Sequence, residues 1–122
     1  MQTLAGTSYI EIGGAKRPLR FGTNQTAKFC EIKKISLSEY GDLMQNGGLE
    51  DISNIRDLLF SALFAGAKAE RLTVDFDEYQ VGDWMDQVDQ AKLMQELGAA
   101  LMGPQSPNAK APEAKKEEVQ AA

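Results

Sequence analysis

Residues 8–21, SYIEIGGAKRPLRF, decide the fold. Ile10 and Ile12 alternate with Tyr9 and Glu11. After Gly13-Gly14, Leu19 and Phe21 alternate with Pro18 and Arg20. A period of two marks a half-buried strand, because successive side chains point to opposite faces. Paired glycines accept the positive φ angles of a tight hairpin turn. The segment therefore predicts two antiparallel strands. Loops of two and of four residues both keep Ile10, Ile12, Leu19 and Phe21 on one face. Pro18 has no N–H to give to a ladder, so its strand lies at an edge or turns its nitrogen outward. A lone hairpin is barely stable in water. Its apolar face must lie on other elements, and its open edge is available to a second chain.

Those other elements read as helices. Thr23 or Asn24 caps the first, which carries Ala27, Phe29, Cys30 and Ile32. Ser36 and Glu39 have capping-box spacing, in which hydroxyl and carboxylate satisfy free amides at a helix start. Tyr40, Leu43 and Met44 follow, and Gly47-Gly48 ends that helix. In the third, Ile52, Ile55, Leu59, Ala62 and Gly66 form one stripe with Leu58 and Leu63 beside it. Phe60, Phe64 and Ala67 extend the apolar surface around the flank. Such a helix is central, or lies between a core and a partner. Asp75 and Glu78 form an acidic capping pair ahead of Val81, Trp84, Met85 and Val88. Asp89 caps a last helix with Leu93, Met94, Leu97 and Leu101.

The predicted class is α+β, mostly helical: an N-terminal β-hairpin followed by four to five short helices. Residues 8–102 form one domain, as 122 residues allow. Residues 1–7 read as a flexible N-terminus. From Gly103 onward Pro104, Pro107 and Pro112 punctuate Ala, Lys, Glu and Gln, with Val119 the sole large aliphatic. That composition predicts a disordered tail over 103–122.

Charge and composition exclude several functions. The net charge is -5, and a net-acidic chain is repelled by phosphate backbones. No nucleic-acid partner is expected. The richest apolar run, Leu58 to Ala67, is interrupted by Ser61 and is about half the length that crosses a bilayer. The N-terminus shows no basic region followed by a long apolar stretch. A cytoplasmic protein without a membrane partner is expected.

Covalent chemistry has little to work with. There is no histidine, and Cys30 is the single cysteine. Lys28, Lys33 and Lys34 flank it, but a thiol nucleophile without histidine lacks its usual base. Asp75, Asp77, Glu78, Asp83, Asp86 and Asp89 gather without a cation among them. A calcium loop needs glycine at its sixth position and glutamate at its twelfth. Counted from Asp75 these are Gln80 and Asp86; counted from Asp77 they are Gly82 and Val88. Neither register fits. The chain predicts no catalytic residue, no cofactor and no metal site, hence a non-enzymatic protein.

Two features point to binding instead. Lys16, Arg17, Arg20, Lys28, Lys33 and Lys34 fall between residues 15 and 34 with only Glu31 against them. This basic stretch and the acidic stretch 75–89 either solvate separately or meet, within the fold or between copies. Opposite-signed faces on one protomer suit head-to-tail association into a homo-oligomer. The second feature is apolar helix surface beyond what a hairpin covers. Phe60, Phe64, Trp84 and Met85 are the candidate partner-binding residues, with core membership the alternative for each.

The order of these signals resembles that of small phage tail assembly chaperones, found in tailed phages and prophages. The resemblance spans roughly residues 8 to 102. It rests on Tyr9-Ile10-Glu11-Ile12-Gly13-Gly14, on Pro18-Leu19-Arg20-Phe21-Gly22-Thr23-Asn24 and on Ile35-Ser36-Leu37-Ser38-Glu39-Tyr40. Arg56-Asp57-Leu58-Leu59-Phe60-Ser61-Ala62-Leu63 and Phe76-Asp77-Glu78-Tyr79-Gln80-Val81-Gly82-Asp83-Trp84-Met85 complete it. The resemblance implies binding of the tape-measure protein, which such chaperones keep soluble, and help in recruiting tail-tube subunits. It implies action in the host bacterial cytoplasm and absence from the mature virion. A permanent structural component of a tail or connector is the alternative.

Overall fold

The computed structural model describes residues 7–102 of the chain. The expectations for residues 1–6 and for the tail at 103–122 lie outside the described residues. An antiparallel hairpin of β1 (Thr7–Ile12) and β2 (Ala15–Arg20) opens the domain, with Ile12 opposite Ala15 and Thr7 opposite Arg20. The loop therefore has two residues. Gly13 (φ 63°) and Gly14 (φ 76°) both sit at positive φ, as a two-residue turn matched to strand twist requires. Ile10, Ile12 and Leu19 are at most 3% exposed and share the core face. Thr7, expected within the flexible N-terminus, is instead buried in β1, where its hydroxyl accepts a hydrogen bond from Arg20 Nη1 at 3.0 Å.

Five helices follow: α1 (Thr23–Lys33), α2 (Leu37–Gln45), α3 (Ile52–Ala69), α4 (Glu78–Met85) and α5 (Gln90–Met102). A 3₁₀ turn at Gly48–Glu50 joins α2 to α3. The α+β architecture is thus the one the sequence predicts, with α3 at its centre. Helix α1 packs along α3, α4 packs on α3, and α5 lies against β1. Leu58, Leu59, Ala62 and Leu63 are at most 1% exposed. Full burial of each leucine contributes about 2 kcal/mol.

Helix α3 also covers the hairpin's β2 edge. A Cβ placed on Gly66 would stand 2.3 Å from the Pro18 carbonyl oxygen, so backbone meets backbone there. Proline brings no N–H to this covered edge, and an unpaired donor is never trapped beneath the helix. A helix over a strand edge also blocks pairing with another chain on that side.

Helix starts follow local chemistry, with two departures from the expected caps. Ser36 Oγ accepts from the Glu39 N–H at 3.1 Å, and Glu39 Oε1 accepts from the Ser36 N–H at 2.7 Å, a complete capping box. Asp51 caps α3 through the Ser53 N–H at 2.9 Å; hydrogen bonds from the Ser53 hydroxyl and amide hold its carboxyl below the usual aspartate value. Asp89 accepts from the amides of Ala91 and Lys92. Helix α1, however, starts after Gly22 with no side-chain cap, so neither Thr23 nor Asn24 serves. At α4 the cap is Asp77, accepting from the Gln80 N–H at 2.9 Å, rather than Asp75. Ile52 also leaves the expected stripe: as the first residue of α3 it is 64% exposed.

A buried charge cluster ties α1 to α3. Asp57, 2% exposed, accepts from Lys33 Nζ at 2.9 Å and from Arg56 Nε at 2.9 Å. Its hydrogen bond, together with its charge, holds the Arg56 guanidinium more firmly protonated. Beside it Gln25, also buried, donates to Ser61 Oγ at 3.3 Å, and Ser61 donates to the Leu58 carbonyl.

Candidate partner-binding surface

Helix α3 carries Phe60 and Phe64 one turn apart, and both continue into a file of aromatic rings. Phe64 lies 6.0 Å from Phe60, Phe60 lies 5.9 Å from Phe76, and Phe76 lies 5.4 Å from Trp84. These separations are those of favourable tilted and edge-to-face pairs. The file runs from the α1–α3 side of the domain to the hairpin turn, and a cation covers each end.

At the hairpin end, Trp84 packs against Gly13 so closely that a Cβ on that glycine would fall 2.4 Å from the indole. The Arg17 guanidinium carbon sits 4.2 Å from the Trp84 ring and 5.6 Å from that of Phe76. Arg17 also donates to the carbonyls of Ile12 (2.8 Å) and Gly13 (2.9 Å). Trp84 is half-buried, and its packing fastens α4 to the hairpin.

At the other end, half-buried Phe64 forms the floor of a 380 Å³ groove between α1 and α3. Lys28 from α1 holds its Nζ 4.4 Å from the ring centroid, and Lys68 from α3 holds its own 5.6 Å away. Cations over an aromatic face are drawn by its quadrupole. The result is an apolar floor between two ammonium groups. Lys28 also pairs with Glu31 at 3.4 Å, and Glu31 is 72% exposed on the rim.

The four residues expected to meet a partner therefore separate. Phe60 (5% exposed) and Met85 (4%) are enclosed in the core and are corrected as surface candidates: Phe60 sits between Phe64 and Phe76, and Met85 lies on the inner face of α4. Trp84 is engaged by Gly13 and Arg17. Phe64 alone opens into a groove. The basic stretch is likewise divided, with Arg17 on the turn, Lys33 on Asp57 and Lys28 at the groove. Among the described residues no ion pair joins it to the acidic stretch.

The most exposed large apolar residues are ones the sequence reading did not select. Leu37 (70%), Ile52 (64%), Leu72 (51%), Tyr79 (70%) and Met102 (78%) project from the surface. Tyr79 carried a legible signal: it lies four residues before Asp83 and seven before Asp86, so it shares their face and opposes the buried Val81 and Met85.

A larger cavity, 570 Å³, lies between β1 and α5. Its lining brings together Glu11, Asp89 and Glu96 with Lys16 and Lys92, a mixed-charge rim unlike the apolar floor at Phe64. Among the described residues no group of three or more Cys, Asp or Glu side chains is placed to hold a metal ion, and no helix is long and apolar enough to cross a membrane. Comparison of the chain with protein families, curated proteins and solved structures finds no match.

Proposed function

We propose that this protein is a non-enzymatic phage tail assembly chaperone that binds the tape-measure protein, keeps it soluble and helps recruit tail-tube subunits. The proposal joins the sequence resemblance to one structural observation, the open groove floored by Phe64 between α1 and α3. A tape-measure protein is long, helical and apolar along its stripes. An amphipathic helix docks by setting apolar side chains into such a groove, while the polar rim keeps the complex in water. Leu37, Ile52 and Tyr79 add apolar contact points elsewhere on the surface. Modest affinity at each contact suits transient service, since many copies along one long client add up to firm retention. The protein acts in the host cytoplasm and departs before the tail is complete.

Co-expression tests the proposal. A tape-measure protein that is insoluble alone enters the soluble fraction when this chain is present, and Phe64→Asp reduces the effect. An equally insoluble client with and without the chain contradicts the reading. Mass spectrometry of purified virions separates the chaperone from the alternative of a permanent tail or connector component. The chaperone is absent; a structural component is present at fixed stoichiometry.

A further inference from the structure

We infer that the α1–α3 groove of one copy receives the Tyr79 face of α4 from a second copy, in a head-to-tail contact. The two surfaces share no residue and carry opposite charge. The groove offers the Phe64 ring between the ammonium groups of Lys28 and Lys68. Lys68 is exposed and forms no ion pair among the described residues. On α4, Tyr79 is 70% exposed, and the exposed carboxylates of Asp83 and Asp86 flank it on the same helix face. Neither carboxylate forms an ion pair among the described residues.

Each surface supplies what the other lacks. The tyrosine ring meets a half-buried phenylalanine, an aromatic pairing that gains from geometry as well as from burial. The flanking carboxylates meet the two lysines, which orient the contact and raise its rate of formation. The Phe64 ring is already polarised by cations on its face, and Lys28 can exchange its exposed partner Glu31 for an incoming carboxylate. Because the surfaces differ, the contact is heterologous: a copy that uses its groove still has its Tyr79 face free for the next. The contact concerns the chain without any client and does not rest on the tail-assembly reading; a client helix entering the same groove would displace the second copy.

Sedimentation velocity of the full chain, over a range of concentrations at low and at high salt, tests it. The wild type associates with rising concentration, and added salt weakens the association because the ion pairs lie at the surface. A groove variant carrying Lys28→Glu and Lys68→Glu, and a face variant carrying Tyr79→Ala and Asp83→Asn, each associate with themselves at least about tenfold more weakly. Mixing the two variants restores a complex that stops at one copy of each, because each supplies the surface the other has lost. That mixture also shows that both variants are folded. The inference is overturned if the wild type stays monomeric throughout, if its association ignores salt, if either variant associates as strongly as the wild type, or if the mixture yields no such complex.

Discussion

Arg17 lies over the indole of Trp84, with its guanidinium carbon 4.2 Å from the ring, and reaches from there to the carbonyls of the hairpin turn. One side chain thereby joins the N-terminal hairpin to α4 across more than sixty residues of sequence. Trp84 is the only tryptophan of the chain, so this junction can be watched directly. Arg17→Met keeps much of the stem and removes the charge and both hydrogen bonds. We expect a loss of about 1–2 kcal/mol in urea unfolding. Native emission should shift to longer wavelength as water reaches the indole. Unchanged emission and stability would show that the junction is held by packing alone.

The contact between Gly66 and Pro18 leaves no room for a side chain. Gly66→Ala should destabilise the domain by about 1–3 kcal/mol, because α3 must move away from β2. Gly98 in α5 is a matched control, with nothing within 4 Å of an added Cβ. There the same change should stabilise by about 0.5–1 kcal/mol through helix propensity. Thermal unfolding by circular dichroism reads both, and equal effects of the two changes would refute the close approach.

Asp57 is the buried anion between Lys33 and Arg56. Lys33→Met strips it of one partner and leaves Arg56, itself half-exposed. Breaking a buried pair on one side costs about 3 kcal/mol. Replacing the charge itself, in Asp57→Asn with Lys33→Met, should recover part of that loss, since no ion is then stranded. A double-mutant cycle in denaturant measures the difference; additive losses would count against the cluster.

Tyr9 donates its hydroxyl hydrogen bond to Glu70, and that bond raises the tyrosine above its ordinary pKa, with burial and the carboxylate charge adding to it. A pKa raised by folding favours the protonated, folded form. The contribution is therefore complete below the ordinary tyrosine range and is lost as pH climbs through the folded value. Alkaline titration by phenolate absorbance should show a late-ionising tyrosine among the three of the chain. It should disappear in Tyr9→Phe and move to lower pH in Glu70→Gln.

The hairpin, the five helices and the central place of α3 were legible because each rests on local rules. Alternation at Ile10 and Ile12, the Gly13-Gly14 turn and the Ser36–Glu39 box act within a few residues. Helix starts were less legible where two acids compete. Asp77 caps α4 in place of Asp75, and only the backbone path decides which carboxylate faces the free amides. The binding surface was legible in part. Spacing marks Phe60, Phe64, Trp84 and Met85 as apolar, but burial depends on what arrives from elsewhere in the chain. Phe76, from the loop before α4, closes over Phe60. Arg17, from β2, closes over Trp84. Lys28, from α1, turns the ring of Phe64 into the floor of a charged groove. None of these meetings has a local sequence signal.

The most direct test of the proposed function is light scattering on dilution of denatured tape-measure protein into buffer containing this purified chain. The account predicts that scattering falls as the chain is added, reaches a plateau at a fixed ratio of copies to client, and rises again when Phe64→Asp replaces the wild type. Scattering that follows the same course with the chain as without it would contradict the account.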